Sequence, residues 1–180
     1  MKKTKLIIGT RGSKLALIYA EKVKAKLEEL FSNEIKLKKI VTTGDQHQIE
    51  RLSDIGGKGL FAKQIEKELI DGSIDLAVHA LKDMPTIETH NLLTNSFLKR
   101  NSPNEILISR QNIKFEELEP NSVIGTSSYR REYQLKNKRS DLIYKVIRGN
   151  VDTRIQKLEN GEYDAIVLSK AGITELNMQD

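Results

Sequence analysis

Residues 122–135 read SVIGTSSYRREYQL. A short apolar run, Val123–Ile124, meets Gly125. Thr126, Ser127 and Ser128 follow, and then an amphipathic segment begins. That order predicts a strand, a tight turn and a helix start. Arg130 and Arg131 fall in the first helical turn, where the partial positive charge of a helix N-terminus favours Asp or Glu. Two cations there repel the helix dipole and each other, so the stretch implies an anion that offsets them.

The same grammar extends outward in both directions. Leu6–Gly9 reads as a buried strand, Ser13 as a cap and Lys14–Leu30 as a helix with Leu15, Ile18, Leu27 and Leu30 on one face. Glu34–Val41 alternates as a strand, Thr42–Ile55 reads as a polar loop, and GGKG (Gly56–Gly59) precedes a helix to Ile70 with Phe61, Ile65 and Leu69 four apart. Gly72 stops that helix. Leu76–His79 is a short strand running into ALKDMP, where Pro85 makes helical backbone at Met84 unfavourable. After Asn91–Leu98, KRNSPNE reads as a crossing linker. The pattern then restarts with strands at Glu105–Ser109, Val123–Gly125, Ile143–Ile147 and Ala165–Leu168, a turn or short helix at Phe115–Pro120, and a helix at Val151–Leu158 ended by Asn160–Gly161. Strands alternating with helices predict an α/β layered fold. Ile8-Gly9-Thr10 and Ile124-Gly125-Thr126 echo one another, which fits two similar α/β lobes, residues 1–98 and 99–180, facing one cleft.

Composition narrows the chemistry. With 180 residues, 38% hydrophobic and 31% charged, the chain can bury a globular core. No apolar run approaches the ~20 residues of a membrane span, and Leu6–Ile8 is too short for a secretory core of roughly 7–15 residues; the expectation is a cytoplasmic protein with no membrane partner. There is no cysteine, and His47, His79 and His90 lack metal-ligand spacing, so no metal is expected. Net charge is +5, but dispersed lysines (Lys22, Lys24, Lys26, Lys36, Lys38, Lys39) read as solvated faces. Aromatics are 5% with no base-stacking motif, so no nucleic-acid partner is expected.

The polar residues at the expected strand ends share one sign. They are Thr10, Arg11 and Ser13; Lys82 and Asp83; Thr126, Ser127, Ser128, Arg130 and Arg131; and Arg148, Asn150 and Arg154, with Lys58 in a Gly-rich turn. Arginine forks bind carboxylates bidentately, and backbone N–H groups at helix starts add anion affinity. The single acid, Asp83, suits the stabilisation of a developing cation or movement of a proton. The set predicts a small-molecule site for a ligand with several negative charges. GGKGLF does not match the phosphate-binding GxxxxGK[ST] pattern.

Several long motifs, in this order, then become specific: IGTRGSKLAL, GGKGLF, DLAVHALKDMP, VIGTSSYRREYQL and IRGNVDTRIQKLENGEYDAIVLSKAGI. Together they resemble the porphobilinogen deaminase (hydroxymethylbilane synthase) family along essentially the whole chain. The resemblance implies two α/β lobes similar to type II periplasmic binding proteins, plus a smaller third domain. It implies a monomeric enzyme of tetrapyrrole biosynthesis that condenses four porphobilinogen molecules into linear hydroxymethylbilane, releasing ammonia each time, on a covalent dipyrromethane primer. Carried over by motif, Asp83 is the catalytic aspartate. Lys82, Thr126, Ser127, Ser128, Arg130, Arg131, Arg148 and Asn150 serve the primer, and Arg11, Ser13, Lys58 and Arg154 the substrate.

The chain departs from that pattern at Ala80, where many relatives have serine, at Asp54, where some have lysine, and at Glu175, where an arginine often follows the AG motif. It also lacks the cysteine that carries the primer in the family's third domain, and it stops at Asp180, within the second lobe. The expectation is a fragment of an active enzyme, inactive alone, its third domain absent. A separate chain carrying that domain, a decayed gene product and a non-catalytic polycarboxylate-binding module are the alternatives.

Overall fold

A computed structural model describes residues 5–32, 34–46 and 59–178. The described residues form two compact units, one up to Arg100 and one from Asn101. Each contains a parallel strand–helix–strand element, and the second adds an antiparallel strand to its sheet.

In the first unit, β1 (Lys5–Arg11) leads into α1 (Lys14–Leu30) and returns as β2 (Glu34–Ile40), paired in parallel from Lys5 with Glu34 to Arg11 with Ile40. The helix starts where Ser13 Oγ accepts the Ala16 N–H at 3.3 Å, as its sequence predicts. A short helix, α2 (Thr43–Gln46), follows where the sequence reads as loop. Then come α3 (Lys63–Ile70) and β3 (Leu76–Ala77), giving sheet order β2-β1-β3. The core gathers Ile40, Ile65 and Ile74.

Two expectations change here. β3 is shorter than Leu76–His79, because it pairs with β1 only at Ile8–Leu76 and Gly9–Ala77 before the chain leaves through one bond from Val78 N–H to the Gly9 carbonyl. Helix α3 begins at Lys63 rather than directly after Gly59. Gly59 has φ +89 and accepts the Ala62 and Lys63 N–H groups in a turn. Phe61 therefore leaves the α3 face that its four-residue spacing suggests.

In the second unit, β4 (Glu105–Ser109) runs antiparallel to β7 (Ala165–Ser169). Between them lie β5 (Val123–Gly125), α4 (Tyr129–Lys136), β6 (Ile143–Lys145) and α5 (Val151–Glu159), with α6 (Lys170–Glu175) last. The sheet order is β4-β7-β5-β6. β6 stops at Lys145, short of Ile147, because its partner β5 ends at Gly125; the last rung is Thr126 N–H to the Lys145 carbonyl. Two apolar clusters fill the unit, one around Ile147, Ile166 and Leu168, the other around Ile124, Leu142 and Val167.

The order β6-β5-β7 repeats β2-β1-β3. The repeat reaches single atoms. Asp75 accepts the Ile7 N–H at 2.8 Å and donates its own N–H to the Ile7 carbonyl; Asp164 does the same with Val123, at 2.7 Å. Each follows a helix ended by a left-handed glycine, Gly72 at φ +69 and Gly161 at φ +79. At Gly9 and Gly125, a Cβ would run into Ile74 and into Tyr163 and Ile166 respectively, so close packing favours glycine at both positions.

Candidate functional site

The carboxyl end of β1 carries Arg11 into a built setting. Thr42, fully buried, and Asp45 form a reciprocal cap on α2: Thr42 N–H and Oγ1 donate to Asp45 Oδ2 at 3.2 and 2.7 Å, and Asp45 N–H donates to the Thr42 carbonyl. The other carboxylate oxygen, Oδ1, takes Arg11 Nε at 3.1 Å and Nη2 at 2.5 Å. The Arg11 guanidinium lies over the Phe61 ring, 3.8 Å from its centroid. Phe61 in turn covers Gly44, where a Cβ would strike the ring. Arg11 Nη1 is 3.6 Å from Asp83 Oδ2, on the turn Leu81–Asp83. Burial pushes the Asp45 carboxyl up, but the bonds from Arg11 and Thr42 outweigh it and hold it below its usual range. His79 Nε2 is buried and has no hydrogen-bond partner among the described residues. Burial holds its pKa below the ordinary histidine value, against the pull of Glu66 and Asp83.

Of the residues expected at this end, Arg11 and Asp83 come together. Ser13 spends its hydroxyl on capping α1. Lys82 is exposed. Lys58, with Asp54, lies outside the described residues. Asp45 and Phe61 were missed by sequence reading; a T-x-x-D capping pattern at Thr42–Asp45 is the signal that marks the former.

At the carboxyl end of β5, the hydroxyls serve the turn. Thr126, fully buried, accepts the Ser128 N–H at 3.2 Å, Ser127 Oγ donates to the Ile147 carbonyl, and Ser128 Oγ accepts the Arg131 N–H at 3.4 Å as the cap of α4. The arginine pair has an anion of its own. Glu105, at the start of β4, takes Arg130 through Nη2 and lies 2.9 Å from Arg131 Nε. Arg131 Nη1 also donates to the Val167 carbonyl at 3.0 Å. Burial opposes ionisation of Glu105, but the two arginines prevail and its pKa is lowered. Sequence reading missed Glu105, which sits in a strand pattern 25 residues from Arg130.

Nearby in sequence, Arg148 is buried and Arg154 Nε donates to the Gly149 carbonyl at 2.8 Å, closing the turn before α5. Asn150 is exposed at the α5 N-cap and makes no side-chain cap bond. Glu175 accepts from Asn101 Nδ2 at 3.0 Å. Among the described residues, no group of three His, Asp or Glu is placed to hold a metal, and no helix is long and apolar enough to cross a membrane.

Comparison with known proteins adds a family. Residues 6–180 match the model described as porphobilinogen deaminase, dipyromethane cofactor binding domain. A porphobilinogen deaminase of Sulfurimonas denitrificans is 47% identical over 177 residues, 98% of this chain and 56% of the relative. Those of Nitratiruptor sp. and Bacillus subtilis are 48% and 46% identical, over 97% and 94% of this chain and 56% and 54% of theirs. The chain thus spans about half the length of the curated relatives it matches. Among solved structures, an ancestral cationic amino acid solute binding protein is similar at 16% identity and TM-score 0.48, over 93% of this chain and 70% of that one; a likeness so distant carries no argument.

Proposed function

The chain belongs to the porphobilinogen deaminase family, and from that premise we propose that it forms the ligand-binding and catalytic part of a hydroxymethylbilane synthase. The observation that carries the reading is Asp83 held 3.6 Å from Arg11 at a strand end. A porphobilinogen molecule brings acetate and propionate arms and a pyrrole N–H. Arg11 suits an arm, because a guanidinium edge meets a carboxylate in two hydrogen bonds. Asp83 suits the nitrogen. When the aminomethyl C–N bond breaks, its electron pair leaves with ammonia, and positive charge spreads onto the ring nitrogen. A fixed carboxylate there stabilises that charge as it develops. Attack by a pyrrole carbon then forms the new C–C bond, and the ring proton is released.

In the second unit Arg130, Arg131 and Arg148 are cations suited in kind to the carboxylate arms of a dipyrromethane; Asn150, and Lys82 of the first unit, are assigned to it by motif alone. When bound, this group supplies the pyrrole end onto which units are added. Thr126, Ser127 and Ser128 contribute by fixing the turn that presents the arginines. Arg154, Ser13 and Lys58 go with Arg11 to the substrate. None of the 180 residues is cysteine, so none of them can form the thioether by which the family attaches its primer. A second reading is a non-catalytic polycarboxylate-binding module, which the cations Arg130, Arg131 and Arg148 would serve equally.

Turnover separates the two. In a full-length protein carrying this chain, Asp83→Asn is expected to reduce hydroxymethylbilane formation at least about 100-fold with the melting temperature retained. Undiminished turnover in that variant would sink the proposed mechanism. Calorimetric binding of porphobilinogen without turnover in the unaltered full-length protein would favour the module.

A further inference from the structure

Arg11 is a long side chain at the carboxyl end of β1, and such a side chain loses about 2 kcal/mol of rotamer freedom when it is fixed. Something must hold it if its fork is to meet a ligand in one orientation. Three contacts do. Asp45 Oδ1 takes Nε and Nη2, so one long edge of the guanidinium is spoken for. The Phe61 ring supports its face. Asp45 itself cannot swing, because Thr42 holds its other oxygen through both the backbone N–H and the hydroxyl. What remains is the Nη1 edge, and it points at Asp83.

We propose that Asp45 is a positioning residue for ligand recognition: it clamps Arg11 flat on Phe61, so that the Nη1 edge and Asp83 are offered to the substrate together. Neither Asp45 nor Phe61 needs to touch the ligand. The inference rests on the reading that Arg11 binds a carboxylate arm of porphobilinogen. The bland alternative is that Asp45 only caps α2. The two differ in one respect. A clamp acts through Arg11 and has no effect on binding once Arg11 is gone; a cap has the same effect with or without it.

A double-mutant cycle on porphobilinogen affinity, measured by calorimetry on the full-length protein, reads that difference. Arg11→Gln is expected to weaken binding about tenfold, the loss of one charge-assisted pair. Asp45→Asn, which keeps an acceptor for Thr42 but loses the charge, is expected to weaken it about fivefold. The double variant should bind within about twofold of Arg11→Gln alone. Equal Asp45→Asn effects in both backgrounds would overturn the inference and leave the reading of Arg11 standing. An Arg11→Gln variant that binds as the unaltered protein does would overturn both. Should Asp45→Asn fail to fold, Phe61→Leu runs the same cycle from the other side of the guanidinium. It is expected to cost about threefold with Arg11 present and nothing without it. Unaltered affinity in Phe61→Leu would count against the clamp.

Discussion

Arg130 and Arg131 stand where a helix dipole disfavours cations, and Glu105 is the residue that makes this tolerable in the folded chain. The two arginines do not depend on it equally. Arg130 keeps 63% of its side-chain surface in solvent, whereas Arg131 keeps 15%. An exposed pair contributes little, while a cation left without its anion in a partly buried place is costly. Replacement of Glu105 by Gln is therefore expected to lower stability by about 1–2 kcal/mol, between the exposed and buried limits, and mostly through Arg131. The pH dependence has a definite sign. The folded-state pKa of Glu105 lies below its ordinary value of 4.5, so its contribution is complete above that value and fades as pH falls through the lowered one. Thermal melts of the two proteins should lie furthest apart near neutrality and converge under acid. A gap that stays constant down to the lowest pH would show that the charge of Glu105 is not what matters.

At the scale of elements, the two aspartates that latch a strand to the loop preceding its neighbour are equivalent devices. Asp164 joins the start of β7 to Val123 by a carboxylate and a backbone bond, as Asp75 joins β3 to Ile7. Asp164→Ala leaves the part-buried Val123 N–H without its acceptor, an expected loss of about 1–3 kcal/mol, read as a lower urea midpoint with unchanged slope. An unchanged midpoint would mean that water replaces the carboxylate there. These elements also show what sequence can carry. α1 is legible to the residue, because Ser13, an unbroken helical pattern and no internal Gly or Pro all agree. The strand at Val123–Gly125, the turn and the helix start after it are legible too. α2 is not, because Gly44 in TTGDQ reads as a turn until Phe61 is seen packed on it. The lengths of β3 and β6 are not, because each is set by where its partner stops. Asp45 and Glu105 escape notice for the same reason: each meets its arginine across 34 and 25 residues of chain. The stronger internal echo, DGSIDLAV (Asp71–Val78) against NGEYDAIV (Asn160–Val167), was open to reading. It lies in loops and strand starts, where the pattern of apolar residues says little.

For the molecule as a whole, the two units repeat one topology on unequal cores. The unit from Asn101 has two apolar clusters, and every residue of β7 except Ser169 is buried. Among the described residues, the unit up to Arg100 has one cluster, of three buried isoleucines, and it exposes Ile87 at 83%, Leu93 at 80% and Leu30 at 74% of their surface. Local stability follows buried apolar contact, so opening should cost less in the first unit than in the second. Native-state hydrogen exchange on this chain tests that directly. β1 and β7 are the strands to compare, since each is flanked by two strands; β1 is parallel to both of its neighbours and β7 to one, the other being antiparallel, and the cores beneath them differ. The amides of Ile166–Leu168 are expected to exchange more slowly than those of Ile7–Gly9 by at least about tenfold, equivalent to about 1.4 kcal/mol in opening free energy. The corresponding unfolding should be non-coincident, with probes in the first unit responding at lower urea than probes in the second. Equal protection in β1 and β7, with a single shared transition, would mean that the two units open as one cooperative body despite their unequal cores.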